Sequence, residues 1–240
     1  MTSLLFPADL HIHTTLSPCA EREMDPPRVF ARAREAGLRI IAITDHNSTA
    51  NLPAFLASPP KDLWVIPGME VQTKEEVHMV CVFPGLDEAM EWGELVKKHL
   101  PPVKNRPEFF GEQTVVDAEG NSIGEEEILL LNSVSLSLEE VVKMVTERKG
   151  LVYPAHYRRP SFSIYSQLGV VPSCLPQKVL EISPGDDKTA LEKEYPGYRF
   201  ICSSDAHRLA EIGRGRTIFP FSGARWSELV RWTELAIYDY

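Results

Sequence analysis

Apolar residues fall in short runs along this chain, and many of those runs end on a histidine or a carboxylate. Arg39-Ile40-Ile41-Ala42-Ile43-Thr44, Leu63 to Pro67, Val77-His78-Met79-Val80-Cys81-Val82-Phe83, Leu151-Val152-Tyr153-Pro154-Ala155-His156, Lys178-Val179-Leu180-Glu181-Ile182 and Tyr198-Arg199-Phe200-Ile201-Cys202 have the character of buried strands. Asp9-Leu10-His11-Ile12-His13 opens the series as a short strand, and Thr217-Ile218-Phe219 closes it. Stretches of helical character lie between the strands. Asp25 followed by Pro26-Pro27 supplies an N-cap and first-turn prolines for a helix to about Glu35, with Gly37 as its C-cap. Further helices are predicted over Ala50 to Ala57, Leu86 to about His99, Lys188 to Glu194 and Trp226 to Leu235. Ser137, with Glu140 three residues on, predicts a capping box opening a helix from Leu138 to Arg148 that Gly150 ends.

Strand and helix alternate, which favours an α/β fold with a parallel sheet and crossover helices. Residues 101–135 break the rhythm. They hold prolines at 101, 102 and 107 and a turn signal at Glu119-Gly120-Asn121, so they are expected to form a hairpin-bearing insertion, a lid or an interface. Residues 158–177 are expected to be loop-rich. No internal repeat, low-complexity tract or linker divides the chain, and a single domain over residues 1–240 is expected.

Active sites of parallel barrels and doubly wound sheets gather at the C-terminal ends of the strands. Candidate ligands sit there repeatedly: His11 and His13 on the first strand, Asp45 and His46 after the second, Glu70 after the third, His156 at the end of a later one, and Asp205 and His207 after another. His78 lies in the fourth. Six of the seven histidines belong to this pattern, and only His99, on a helix, stands outside it. Singly, each has an ordinary role open to it: His78 as a hydrogen-bonded core residue, Glu70 or Asp45 as a turn cap, the cysteines as small packing groups. Their joint placement points to a shared divalent-metal site, since His-x-His on a strand projects two imidazoles to one face.

The ordered set Asp9-x-His11-x-His13, Thr44-Asp45-His46, Gly68-x-Glu70, His78, His156 and Asp205-x-His207 resembles the PHP family, named for polymerase and histidinol-phosphatase domains. The resemblance implies a distorted (β/α)7 TIM-like barrel carrying two to three divalent metal ions (Mn, Zn or Fe) at one face. It implies one metal on His11, His13, Glu70 and Asp205, a second on Glu70, His78 and His156, and a third between His46 and His207. Many family members continue the opening motif with Ser-Asp-Gly and draw a third-site ligand from it. Here the chain has Ser17-Pro18-Cys19, leaving Glu21, Glu23 or Cys19 as substitutes. The implied activity is metal-dependent phosphoester hydrolysis, with Glu70 bridging the metals and Asp205 or His207 near the leaving group. Arg158 and Arg214 are the preferred phosphate contacts among the arginines that follow His156 and His207.

Net charge of −9, with 43% hydrophobic residues, fits an ordinary globular protein and argues against a duplex-DNA reader, which needs a basic footprint. The expected partner is therefore a small phosphorylated metabolite or nucleotide, with no duplex nucleic acid and no membrane. Cys19, Cys81, Cys174 and Cys202 are scattered without a CxxC pair, no apolar run approaches transmembrane length, and the N-terminal residues lack the features of a signal peptide, so the expected location is the cytoplasm. An amidohydrolase-type enzyme, a nuclease on short oligonucleotides and a non-catalytic metal-binding module are the alternatives.

Overall fold

The computed structural model describes residues 4–234. Its strands are β1 (Leu4–Ile12), β2 (Ile40–Ile43), β3 (Trp64–Gln72), β4 (His78–Val82), β5 (Thr114–Val116), β6 (Ser122–Glu125), β7 (Leu151–Pro154), β8 (Val179–Ile182), β9 (Arg199–Cys202) and β10 (Thr217–Phe221). The principal helices are α1 (Pro26–Glu35), α2 (Leu52–Ala57), α3 (Leu86–His99), α4 (Pro107–Phe110), α5 (Leu138–Glu147), α6 (Ile164–Leu168), α7 (Lys188–Glu194) and α8 (Trp226–Glu234). The predicted caps are in place: the Asp25 carboxylate accepts from the Arg28 N–H, and Ser137 and Glu140 form the capping box of α5. Short α6 lies inside the stretch expected to be loop, started by a second capping box at Ser163. The last helix was expected to reach Leu235, which lies outside the described residues.

One sheet runs in the order β10-β1-β2-β3-β4-β7, and β8-β9 continues its curl. β8 joins β7 where the Tyr157 N–H donates to the Glu181 carbonyl at 2.8 Å. β9 leads back to β1, where the His13 N–H donates to the Ala206 carbonyl at 2.9 Å and Ile12 bridges Ala206. The result is the curled, TIM-like α/β sheet expected from the sequence.

The sheet is not uniformly parallel. β1, β2 and β3 are mutually parallel, but β4 runs antiparallel to both β3 and β7. Only Thr73 to Val77 separate β3 from β4, too few residues for a crossover helix, so the chain reverses. The reversal pairs Gln72, the last residue of β3, with His78, the first of β4. His78 thereby reaches the same end of the barrel as the C-termini of its parallel neighbours.

Alternation along the strands divides the apolar residues between two cores. Leu10, Ile40, Ala42, Ile66 and Val80 fill the barrel interior, while Ile41, Ile43, Met69 and Val29 pack beneath the helices with Trp92. This explains why the strand segments were apolar on successive positions. Residues 101–135 form the expected hairpin, β5-β6, and are pinned to the barrel. The Asn51 side chain accepts from the Val116 N–H at 2.9 Å, and the Asn47 amide donates to the Leu130 carbonyl at 2.8 Å.

Candidate metal centre

The eight predicted ligands converge. Glu70 is buried, and its Oε1 lies 2.9 Å from His78 Nδ1, 3.2 Å from His156 Nε2 and 3.3 Å from His11 Nε2. Its Oε2 lies 2.9 Å from His46 Nδ1 and 3.5 Å from His13 Nε2. Asp205 Oδ1 is 3.1 Å from His13 Nε2 and 3.4 Å from His11 Nε2, and the His207 ring stacks on His13 with 4.1 Å between centroids. Among the described residues, three groups have ligand atoms within 4.8 Å of one another: His11, His13, Glu70 and Asp205; His46, Glu70 and His78; and His13, His46 and His207.

Hydrogen bonds on the far side of each ring show what the inward nitrogens are. His11 Nδ1 lies 2.9 Å from Glu181 Oε1, so the neutral ring keeps its proton there and its Nε2 carries the lone pair. The Ser17 hydroxyl gives its proton to Asp45 Oδ1 at 2.6 Å, so it accepts from His13 Nδ1 at 3.0 Å, and His13 Nε2 also carries a lone pair. His78 Nε2 donates to Gln72 Oε1 at 3.1 Å, leaving Nδ1 as an acceptor. Once the inward protons are displaced, the outcome is an inward array of acceptors: His11 Nε2 and His13 Nε2 stand 3.1 Å apart beside two carboxylates. Among the described residues, the only polar partners of the Glu70 oxygens are these histidine rings. Such a buried array of acceptors is stable only around cations or captured protons, so these residues fit divalent metals.

The electrostatics describe the same competition. Burial lowers the proton affinity of His11, but the carboxylates of Glu181, Glu70 and Asp205 outweigh it and hold the ring well above its ordinary pKa. His46 is likewise opposed by burial yet raised to about 10, chiefly by Glu70. Burial, reinforced by the charges of His207 and His46, pushes His13 well below its ordinary value, and burial lowers His78 to about 4. Burial opposes ionisation of Glu70, but His78, His11 and His46 hold it well below the carboxylate range.

Above the cluster opens a pocket of about 760 Å³, walled by Leu131, Phe162, Pro184 and three arginines, Arg159, Arg208 and Arg214. Arg214, one of the two arginines preferred from the sequence, stands at this mouth. Arg158 does not: it pairs with Glu194 away from the pocket, while its neighbour Arg159 donates to Asp205 Oδ2 at 2.9 Å. The turn after β7, with His156 at φ +30°, decides which of the two consecutive guanidinium groups faces inward. Glu21 pairs with Arg208 at 3.4 Å and joins none of the three ligand groups. Cys19 stands at the exposed rim, yet its thiol turns inward to hydrogen-bond His207 and His46. Burial raises its pKa, but the His46 charge and these hydrogen bonds outweigh that and bring it to about 6.

Gln72, Arg159 and Glu181 were not singled out from the sequence. For Glu181 a signal was present, a carboxylate inside an otherwise apolar strand. Gln72 shares the strand face of Glu70, two residues on.

The profile of the PHP domain matches residues 9–216. The chain belongs to the PHP domain family. A 5'-3' exoribonuclease of Salmonella typhimurium is 36% identical over 77 residues, which are 31% of this chain and 25% of that protein. The chain spans a quarter or less of the length of the curated relatives it matches. Among solved structures, the lesion-specific endonuclease PfuEndoQ of Pyrococcus furiosus superposes with a TM-score of 0.74 at 21% identity, over 96% of this chain and 56% of that one. A complex of endonuclease Q with a 27-mer duplex, an abasic lesion at its active site, gives 0.72 at 20% identity, over 99% of this chain and 57% of that one.

At these identities the two structures show a shared fold. They also correct the exclusion of duplex nucleic acid argued from net charge, because this fold is seen holding a duplex at its active site. The physical reason is that −9 is a sum over the whole chain, whereas a phosphate meets only the local field, and three arginines stand at this mouth. Metal-dependent hydrolysis is the chemistry common to the family. Among the described residues no helix is long and apolar enough to cross a membrane.

Proposed function

We propose that this protein is a metal-dependent phosphoesterase. The observation that carries the reading is the buried array of acceptors on His11, His13, His78, Glu70 and Asp205, placed beneath a mouth lined by arginines. Carboxylates and imidazoles facing one another suit divalent cations, and guanidinium groups above them suit the oxygens of a phosphoryl group.

His11, His13, Glu70 and Asp205 would hold one metal, and Glu70, His78 and His156 a second. His46 and His207 would hold a third, with the Cys19 thiol beside them. Metals bound there supply Lewis acidity and lower the pKa of water, making a nucleophile available at neutral pH. The chain's own groups do the rest. Glu70 presents one oxygen to each half of the site. Arg159, held by Asp205, and Arg214 place the phosphoryl group by paired N–H donors. With the third site empty, His207, whose Nδ1 donates to the Asp205 carbonyl at 2.9 Å, would offer a proton from Nε2 to the leaving oxygen.

The substrates this open mouth supports are a nucleotide, a small phosphomonoester or a phosphodiester within a nucleic-acid strand; the endonuclease and exoribonuclease names among its relatives favour the last. The test is a panel of phosphomonoesters, nucleotides, single strands and a duplex with an abasic site, with a cyclic amide as control, assayed alongside metal analysis. Glu70→Gln should lose bound metal and activity together while far-ultraviolet circular dichroism is unchanged. Hydrolysis of the amide alone, or full activity in Glu70→Gln, would sink the proposal.

A further inference from the structure

Glu181 belongs to none of the three ligand groups, and its position is unusual for a carboxylate. It lies on β8 between Leu180 and Ile182, all three buried, and only 1% of it is exposed. Burying a carboxylate is costly unless its partners repay the lost hydration. Here the repayment is incomplete, since Oε2 makes no hydrogen bond among the described residues. Oε1 carries all of its side-chain bonds: it accepts from His11 Nδ1 at 2.9 Å and from the His156 backbone N–H at 3.0 Å. Those two partners belong to different halves of the acceptor array, one on β1 and one after β7.

We infer that Glu181 is a positioning residue that sets the two halves of the metal centre in register. By accepting the hydrogen bond of the His11 Nδ1–H it fixes the tautomer whose Nε2 lone pair faces Glu70 and Asp205. By holding the His156 N–H it also maintains a backbone at φ +30°, a left-handed conformation costly for a residue with a side chain. That conformation delivers His156 Nε2 to 3.3 Å from His78 Nδ1 and 3.2 Å from Glu70 Oε1. One oxygen thus aligns a nitrogen of each half, from a strand that contributes no metal ligand itself.

The reading of the site as a metal centre underlies this inference, and the test separates the two. Wild type, Glu181→Gln and Glu181→Ala are compared with ¹⁵N-labelled histidine, His11→Asn serving to assign the His11 signals. Wild type should show a slowly exchanging Nδ1–H of His11, present with or without metal. Gln, whose amide oxygen can still accept both hydrogen bonds, should keep that signal and most of the manganese and zinc affinity measured by chelator competition. Ala should lose the signal and about 10–100-fold in affinity. If Ala fails to fold, the retained signal in Gln decides the matter. Unchanged affinity in Ala, or a Gln variant as impaired as Ala, would overturn the assignment. Wild type that binds metal yet cleaves no phosphoester would refute the proposed activity while leaving the Glu181 comparison intact.

Discussion

Ser17→Ala offers a sharp test of how this site is held. The hydroxyl is buried and serves three partners at once: it donates to Asp45 Oδ1 at 2.6 Å and accepts from His13 Nδ1 at 3.0 Å and the His46 N–H at 3.2 Å. Alanine leaves the two donors without a partner in a space no larger than the lost oxygen. Asp45 is less affected, because the Thr14 N–H and hydroxyl, both at 2.7 Å, still serve it. An orphaned buried donor costs about 1–3 kcal/mol, so the two together cost about 2–6 kcal/mol, less any relaxation they share. For a chain of this size that lowers the melting temperature of the metal-free protein by roughly 5–20 °C. The second effect is on the site, where His13 becomes free to adopt the other tautomer, which presents N–H instead of a lone pair. Metal affinity should then fall by about 10–100-fold. Thermal unfolding of the metal-free protein and chelator competition read the two effects separately. Lost stability with undiminished affinity would show that Ser17 braces the loop without setting the tautomer. No change in either would refute the hydrogen-bond argument altogether.

Proton competition makes metal binding depend on pH in a definite direction. His46 is raised from its ordinary 6.5 to about 10, so its contribution to the stability of the metal-free protein is complete below pH 6.5 and lost as pH rises through about 10. A metal must displace that proton, so affinity should climb between pH 6.5 and 10 with protons released on binding, measurable by calorimetry in buffers of different ionisation enthalpy; pH-independent affinity would contradict it. Gly68→Ala should destabilise by about 1–3 kcal/mol, because a Cβ there would lie 2.7 Å from the Cys81 carbonyl and 3.0 Å from Thr44 Cγ2 and Val82 Cγ1, with the β3–β4 pairing blocking retreat. An unchanged denaturant midpoint would count against that packing.

Much of the site was readable one residue at a time. Ligand identity is a property of the side chain, and strand ends are marked by local signals, namely apolar runs, caps and glycines. His11, His13, His46, Glu70, His156, Asp205 and His207 could therefore be selected from residue type and position alone. His78 is different, since it starts its strand, and only the antiparallel course of β4 brings it to the others. Arg158 and Arg159 are equivalent in the sequence, and the turn after β7 separates them, one to Glu194 and one to Asp205. Net charge misled about nucleic acid because a sum carries no positions.

What the sequence determined by itself is the inventory: which residues can ligate, and that they fall at strand ends of an α/β fold. What the tertiary structure decided is the state of those residues. An imidazole can offer either nitrogen, and the choice rests with the partner of the other one. For His13 that partner is the nearby Ser17, but for His11 it is Glu181, 170 residues away along the chain. No local pattern couples positions so distant. Only the closing of the barrel, which carries Glu181 on β8 to within 2.9 Å of His11 on β1, turns His11 from a polar residue on a strand into a lone pair aimed at a cation.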